Sequence, residues 1–382
     1  MRKTYLIIII TCVYTFFSCQ SKAEKIKNED SSIITNRIDS LFTNEYAQDR
    51  FQGGIVISEK GKIIYENYLG IADRTWGISV DKNTKFDIAS VNKSMIAALV
   101  LKAVEDNLLH LEDKLVDLLA DFDYQGNFHS EITLHHLLCH RSGLADYDSV
   151  SNELKKDNFL KFKRSQFSNG EYVNFISKLP QLYSPNERFY YSNFAYHLLA
   201  IVLEVTYKMP FKEILKEKLT IPLGLRNTIS VDKNNHIIEK LAKDYCYDEK
   251  SKAWLQTPFI DLSLGRRIFS TSLDLNKWAQ VIGNPGWLSK KSLNLLTKNH
   301  QNKTENISYG YGWVVFDLNT KSKIGDLKIS KPYIIHGGST DGYKSMLINI
   351  NNQEYVISFL SNLGNNTNEL VLAQKIVQIL IQ

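Results

Sequence analysis

The stretch FDIASVNKSMIAALVLKAV, residues 86–104, joins a serine–lysine tetrad to a run that is apolar almost all round. Such a run is typical of a helix buried on every side, so we predict a helix over Ser90–Val104. Ser90 and Lys93 would share one face of that helix, where the lysine nitrogen can reach the hydroxyl. A serine hydroxyl needs a neighbouring base before it attacks, and burial lowers the pKa of a lysine enough to make it that base. The pattern therefore predicts Ser90 as a nucleophile and Lys93 as its base.

Two other tetrads fit the same Ser-x-x-Lys pattern, and both read SVDK, at residues 79–82 and 230–233. Each precedes a polar, turn-like stretch, whereas a long apolar helix follows Ser90 and can shield its lysine from water. We therefore interpret the tetrads at Ser79 and Ser230 as chance matches.

Apolar periodicity and turn residues predict the elements on either side of this helix. We expect a first helix near residues 32–47 and a closing helix over Asn368–Ile381. The predicted strands are Gly53–Ser58, Lys62–Leu69, Tyr309–Phe316, Tyr333–Ser339, Lys344–Ile350 and Tyr355–Ser361, with a tight turn at Asn351-Asn352 between the last two. Strands at both ends of the chain with helices between them predict an α+β fold. In it, an antiparallel β-sheet is flanked by the N- and C-terminal helices and interrupted by a mainly helical insertion.

The predicted domains follow this change of character along the chain. Residues 33–110 and 266–382 are assigned to the sheet domain, and residues 111–265, where helical segments alternate with turns, to the helical insertion. We expect the active site in the cleft between the two, because ligand sites form preferentially in such clefts.

The N-terminus has the features of a secretion signal. Arg2 and Lys3 precede a mainly apolar run over residues 5–17, which is short for a membrane span and typical of a signal peptide. Residues 16–19, FFSC, resemble a bacterial lipobox, so we predict a lipoprotein signal peptide over residues 1–19, with Cys19 lipidated. Residues 20–32 would be a flexible tether. The chain would then lie in a bacterial cell envelope, anchored to the membrane and facing the periplasm or the cell surface; simple secretion is the alternative.

Composition and charge narrow the range of partners. With 382 residues, 43% of them hydrophobic and 23% charged, the chain is an ordinary globular protein rather than a disordered or collagen-like one. The net charge of +5 comes from interleaved charges without a basic block, so no nucleic-acid partner is expected. The sequence leaves the oligomeric state open. It also does not decide whether Cys139 and Cys246 pair, and we expect two free thiols.

Residues 86–93 resemble the nucleophile segment of the class C β-lactamase superfamily, which includes serine β-lactamases, D-Ala-D-Ala peptidases, D-aminopeptidases and esterases. The resemblance runs from about residue 33 to the end of the chain and implies a β-lactamase/transpeptidase-like fold. The family's second element, Tyr-x-Asn, is matched by Tyr191-Ser192-Asn193. By the resemblance, Tyr191 relays a proton between Ser90 and the leaving group, and Asn193 hydrogen-bonds the substrate. The same pattern at Tyr65 and at Tyr172 falls in the predicted hairpin and in a helix, so we interpret both as structural.

The third element is Lys/His-x-Gly on a strand at the edge of the cleft, and residues 336–338, HGG, match it. The resemblance implies that His336 and Gly338 bind the substrate, and that the N–H groups of Ser90 and Ser339 form the oxyanion hole. Residues 323–325, KIG, fit the pattern in a polar turn and are set aside. Three further phrases match the family's habits: LLCHRSGL at 137–144, FSTSLDL at 269–275 and YGYGW at 309–313.

Two departures from the family bear on the substrate. Members that bind penicillins well often have a lysine at position 336 and a hydroxyl at position 337, both of which reach the ligand carboxylate. His336 is only partly charged near neutral pH and Gly337 has no hydroxyl, which favours an esterase or peptidase over a dedicated β-lactamase. Arg266 and Arg267 also depart from the family's glycines; they would either restore anion binding or form a solvated face.

Histidines near residue 140 could suggest a metal site. His136 and His140 are four residues apart on a predicted helix, next to His135. Zinc sites usually draw ligands from a second segment, and none is evident, so we interpret these as histidines that pack a helix end. We predict neither a metal nor a cofactor.

Three hypotheses follow. The first is a serine hydrolase that forms an acyl-enzyme on Ser90 from a small ester, a D-amino-acid amide or a peptide. The second is a penicillin-binding DD-peptidase or a β-lactamase. The third is a non-catalytic binding or sensor protein on the same scaffold.

Overall fold

A computed structural model of the chain describes residues 32–256, 259–263 and 266–381. The predicted signal peptide with Cys19, and the tether up to residue 31, lie outside the described residues. The helices are α1 (32–47), α2 (Asn92–Glu105), α3 (Leu115–Leu118), α4 (Leu134–Leu138), α5 (Asn152–Arg164), α6 (Asn169–Ser177), α7 (Asn193–Tyr207), α8 (Phe211–Ile214), α9 (Ile221–Leu223), α10 (Ser272–Val281), α11 (Lys290–Thr297) and α12 (Glu369–Leu380). None of the helices in this part of the chain has the length and apolar character needed to cross a bilayer.

The strands form one large sheet and several small ones. They are β1 (Gly53–Glu59), β2 (Lys62–Leu69), β3 (Ile71–Asp73), β4 (Ile78–Ser79), β5 (Phe86–Asp87), β6 (Ile229–Ser230), β7 (Cys246–Asp248), β8 (Ala253–Leu255), β9 (Ile268–Ser270), β10 (Val314–Phe316), β11 (Tyr333–Ser339), β12 (Lys344–Ile350) and β13 (Tyr355–Ser361). The large sheet is antiparallel, in the order β10-β11-β12-β13-β1-β2. The α+β fold class with an antiparallel sheet is therefore confirmed.

Alternate residues along the strands belong to two separate hydrophobic cores, because successive side chains of a strand point to opposite faces of the sheet. Ile57 and Ile357 face α1 and α12, which cover one side of the sheet. Val356 and Ile334 face the other side, where α10 packs on β1, β12 and β13, and α2 and α7 belong to the same apolar cluster. The terminal helices thus flank the sheet as predicted, while the second face carries the nucleophile segment.

The nucleophile segment enters through a small sheet in the order β5-β9-β6. A 3₁₀ turn, Ala89–Val91, follows β5 and leads into α2. The α-helix therefore begins at Asn92 and not at Ser90 as predicted, because Ala89 has a left-handed backbone (φ +47°) and Val91 N–H bonds to Ile88. As predicted, α2 is buried on nearly every side, over residues 92–101 and at Ala103.

The strand predicted over Tyr309–Phe316 is shorter, because only Val314–Phe316 is extended. Gly312 has a φ of +73°, and Gly310 N–H bonds to the Trp313 carbonyl, so residues 309–313 form a turn that brings Tyr309 beside Val314. Strands β11, β12 and β13 have their predicted bounds. The turn between the last two spans residues 351–354 and not two residues, with Gln353 also left-handed.

Candidate active site

Ser90 lies on a strained turn that buried charges hold in place. The left-handed backbone of Ala89 costs about 1–2 kcal/mol in a residue with a Cβ. Ala89 N–H bonds to Asp87 Oδ1 at 2.8 Å, and Arg267 clamps Asp87 Oδ2 at 2.7 and 2.5 Å. The turn leaves Ser90 partly exposed, whereas Ala89 and Val91 are buried. Ser90, the predicted nucleophile, therefore lies on a turn whose neighbouring residues are buried and held by hydrogen bonds.

Lys93 reaches the serine as its spacing predicts. Its Nζ donates to Ser90 Oγ at 3.3 Å and to Asn193 Oδ1 at 2.9 Å. Burial lowers the pKa of Lys93 from its ordinary 10.5 to about 7, an effect that the carboxylate of Asp146 opposes and Arg267 reinforces. At neutral pH a large fraction of this amine is therefore unprotonated and able to take the serine proton.

Asp146, which the sequence did not single out, anchors the amide of Asn193. Asp146 Oδ1 accepts the Asn193 backbone N–H at 3.1 Å, and Oδ2 accepts its Nδ2 at 3.0 Å. These bonds turn Asn193 Oδ1 towards Lys93. Both ends of the Asn193 amide are therefore held by the protein, and its predicted bond to substrate stays a prediction. Burial raises the pKa of Asp146 to about 6, against the lowering effect of Lys93.

Tyr191 lies beside the same pair. The Lys93 ammonium is 4.9 Å from the centroid of its ring. Burial raises the pKa of Tyr191 well above its ordinary value, while a contact with Ser90 lowers it. The phenol therefore keeps its proton at neutral pH, so it can donate a proton rather than act as a standing base.

His336 on β11 is uncharged at neutral pH, whereas the sequence alone suggested a partly charged histidine. Burial, with a contribution from Lys93, lowers its pKa to about 4. Its Nδ1 lies 2.7 Å from the Gly337 carbonyl and its Nε2 lies 3.1 Å from the Tyr309 hydroxyl. Both ring nitrogens thus have protein partners, and the ring carries no charge for a substrate carboxylate at neutral pH.

Gly338 lets β11 pack against the nucleophile turn. A Cβ at this position would lie 2.6 Å from the Ile88 carbonyl oxygen and 2.2 Å from Ser345 Oγ. Ser339 comes next and is exposed, and its Oγ accepts from Lys344 Nζ at 2.7 Å. The absence of a side chain at Gly338 is therefore explained by its close contact with Ile88 and Ser345. The predicted substrate roles of Gly338 and Ser339 stay predictions.

The two arginines are ion-paired, so neither prediction made for them holds. Arg266 bonds Glu204 at 3.2 and 2.8 Å and Asn169 at 2.5 Å. Arg267 is 4% exposed and its charge is committed to Asp87. Neither guanidinium forms a solvated face or a free anion site.

The histidines near residue 140 have separate structural roles. His136 completes a capping box with Thr133 at the start of α4, and His135 Nδ1 lies 2.6 Å from the Tyr311 hydroxyl. His140 lies beyond the end of α4 with a φ of +58°, so its predicted place on one helix with His136 is wrong. Over the described ranges no His, Cys, Asp and Glu side chains cluster as metal ligands. Cys139 and Cys246 are free thiols, as expected.

The residues set aside in the sequence have partners other than Ser90, Lys93 and Tyr191. Tyr65 bonds Asp39, Tyr172 bonds the Ser263 carbonyl and Ser230 bonds the Arg267 carbonyl. Ser79 lies on the exposed strand β4. The structure brings together Ser90, Lys93, Tyr191 and Asn193, with Asp146 as an unforeseen member.

Comparison with known proteins gives this geometry a context. The sequence model of the Beta-lactamase family matches residues 38–380. Penicillin-binding protein 4* of Bacillus subtilis is 27% identical over 86% of this chain and 72% of its own length. Esterase EstB of Burkholderia gladioli is 28% identical over 52% of each chain. The octameric penicillin-binding protein homologue from Pyrococcus abyssi superposes with a TM-score of 0.75 over 91% of this chain and 77% of its own, at 21% identity, which supports the fold alone.

Proposed function

The chain belongs to the Beta-lactamase family of serine hydrolases, and on that basis we propose that it hydrolyses a small ester or D-amino-acid amide through an acyl-enzyme on Ser90. The observation that carries the proposal is the contact of Lys93 Nζ with Ser90 Oγ at 3.3 Å, inside a site that lowers the lysine pKa to about 7. A ready base beside a serine is the arrangement that nucleophilic catalysis needs.

In the proposed reaction, Ser90, Lys93 and Tyr191 pass protons one way during acylation and the opposite way during deacylation. Lys93 takes the proton of Ser90 while Oγ attacks the substrate carbonyl, and the N–H groups of Ser90 and Ser339 receive the negative charge on the carbonyl oxygen. When that intermediate collapses, Tyr191 gives its proton to the departing oxygen or nitrogen and recovers one from Lys93. Water then attacks the ester on Ser90, and the same groups carry its proton to Oγ as the acid leaves.

The environment of β11 favours a neutral substrate over a β-lactam. His336 is uncharged at neutral pH, Gly337 offers no hydroxyl, and Arg266 and Arg267 are already paired. A ligand carboxylate therefore meets weak attraction there. Likeness to a penicillin-binding protein over 86% of the chain keeps a DD-peptidase or β-lactamase as the second candidate. A non-catalytic binding protein or sensor is the third, and the formed contact between Lys93 and Ser90 weighs against it.

A serine-reactive fluorophosphonate tests the proposal. We expect intact mass spectrometry to find one adduct on the wild-type chain and none on Ser90→Ala. Ser79→Ala removes the serine of an exposed look-alike tetrad and should label as wild type does. Labelling that survives in Ser90→Ala would refute the role of Ser90.

A substrate panel then separates the candidates. We expect turnover of a p-nitrophenyl ester or a D-phenylalanine amide to exceed turnover of nitrocefin. Faster nitrocefin turnover would favour the second candidate, and a chain that no acylating reagent modifies would favour the third.

Part of the proposal concerns location. We propose that Cys19 carries lipid and holds the enzyme at the envelope membrane, since FFSC at residues 16–19 follows an apolar signal. In detergent phase partition the wild-type chain should enter the detergent phase and Cys19→Ser the aqueous phase. Equal partition of the two would contradict the anchor.

A further inference from the structure

His140 contacts three consecutive residues of the segment that carries Tyr191. Its carbonyl accepts the N–H of Tyr190 at 2.8 Å, and its Nδ1 accepts the N–H of Ser192 at 3.2 Å. Its ring lies against the ring of Tyr191, with centroids 4.3 Å apart and planes inclined by 34°. One residue therefore fixes the backbone on both sides of Tyr191 and supports its ring.

The imidazole is itself held firmly. His140 is completely buried, and the rings of Tyr196 and Tyr309 also lie against it, each at 5.0 Å between centroids. Its left-handed backbone persists only because the surroundings determine it, since that conformation is costly for a residue with a side chain. The support behind Tyr191 is therefore rigid.

The ring is neutral, which suits a place beside the catalytic lysine. Burial lowers the pKa of His140 well below its ordinary value, and the charge of Lys93 lowers it further. Since Nδ1 accepts a hydrogen bond, the proton of the neutral ring is on Nε2. Nε2 finds no hydrogen-bond partner in the part of the chain that the structure describes. The hydrogen bond that the ring makes is thus the one it accepts from Ser192, next to Tyr191.

We infer that His140 is a positioning residue for proton transfer by Tyr191. It holds the phenol where its O–H can break as the bond from hydrogen to the leaving oxygen or nitrogen forms. The phenolate then regains a proton from the Lys93 ammonium, which received it from Ser90. This inference rests on the proposed function, in which Tyr191 protonates the leaving group. His140 acts through Tyr191 and needs no contact with substrate.

Two esters of one acyl group test the inference, because they differ in their need for that proton. p-Nitrophenolate departs as an anion, whereas ethoxide must be protonated as it leaves. Tyr191→Phe should therefore lower kcat/KM about 100-fold on the ethyl ester and much less on the p-nitrophenyl ester. His140→Asn can still accept the Ser192 N–H and tolerates a left-handed backbone, but it lacks the ring. It should lose about tenfold more kcat/KM on the ethyl ester than on the p-nitrophenyl ester.

The controls separate positioning from general stability. His197→Asn removes another buried imidazole, on α7, and should leave the ratio of the two esters at the wild-type value. His140→Phe keeps a ring and loses the acceptor, so it gives a second variant if His140→Asn does not fold. Equal losses on both esters in the folded His140 variants would overturn the inference. If Tyr191→Phe treats both esters alike while Ser90 is still acylated, the proton step fails and the inference falls with it.

Discussion

At the scale of single side chains, the amine of Lys93 and the carboxylate of Asp146 titrate in one shared environment. The pKa of Lys93 is lowered to about 7 by burial, and the carboxylate of Asp146 keeps it from falling further. Because the proposed mechanism uses the unprotonated amine as the base, kcat/KM should rise with pH through about pH 7. The midpoint of this rise reports the coupled pair rather than either group alone.

Asp146→Asn should move that rise to lower pH. The substitution removes the charge that raises the lysine pKa, so the midpoint should fall by about one pH unit, as expected for loss of one close opposite charge. The pH dependence of p-nitrophenyl ester turnover measures the change. Asp121→Asn is the matched control, since its exposed carboxylate acts on the pKa of neither Lys93 nor Asp146 and the midpoint should stay in place. A midpoint that rises in Asp146→Asn would contradict this account.

The site residues that the sequence could predict are those in short motifs, where the members lie two or three positions apart. Three residues of helix bring Lys93 to Ser90, and the tyrosine motif brings Tyr191 and Asn193 to the same place. Asp146 and His140 act across turns, through bonds to residues 45 or more positions away, so no local period marks them. His336 was placed correctly on its strand, but its neutrality depends on burial, which spacing does not reveal.

At the scale of elements, the turn over residues 309–313 is packed against the start of α2. A Cβ on Gly312 would lie 2.5 Å from the carbonyl oxygen of Lys93 and 2.8 Å from Cα of Ser94. The glycine also has a φ of +73°. The turn and the first residues of α2 therefore touch backbone to backbone.

Gly312→Ala should damage both stability and turnover. The backbone clash cannot be relieved by rotating a side chain, so we expect a loss of about 3 kcal/mol in the free energy of unfolding, with a lower kcat as Lys93 shifts. Gly77→Ala is a matched control, since its φ is +65° but nothing lies within 4 Å of the added carbon. It should lose about 1 kcal/mol and keep wild-type kcat. Urea unfolding measures the stability of both variants, and ester turnover measures their kcat. Equal losses of stability in Gly312→Ala and Gly77→Ala would show that only the backbone angle matters.

Sequence patterns predicted most elements because the strands alternate and α2 is apolar all round. They placed the start of β10 too early, since apolar residues continue through the turn and the left-handed Gly312 leaves no mark in the pattern. They also began the helix at Ser90, because nothing in the composition reveals the left-handed backbone of Ala89. Both errors fall at strained turns next to Lys93 and Ser90, where packing overrides local preference.

At the scale of the whole molecule, strands from both ends of the chain meet in one sheet. β1 pairs with β13 along seven residues, so the first and last parts of the chain close a common core. The strands predicted at both ends of the chain had indicated this single sheet. The strand order did not follow from sequence, because many antiparallel orders bury the same alternating residues.

The burial of Lys93 also ties the stability of the fold to acidity. Its pKa is about 7 in the folded chain and 10.5 when exposed, so between these values the unfolded chain holds a proton that the folded chain has released. The free energy of unfolding should therefore rise with pH across this window, and below pH 7 the fold carries the full cost of enclosing a cation. Urea titrations from pH 6 to 10 should show a flatter profile for Lys93→Met than for wild type; identical slopes would contradict the linkage. Protonation of Lys93 would then both inactivate the proposed base and lower the stability of the fold, so mild acid should reduce turnover and stability together.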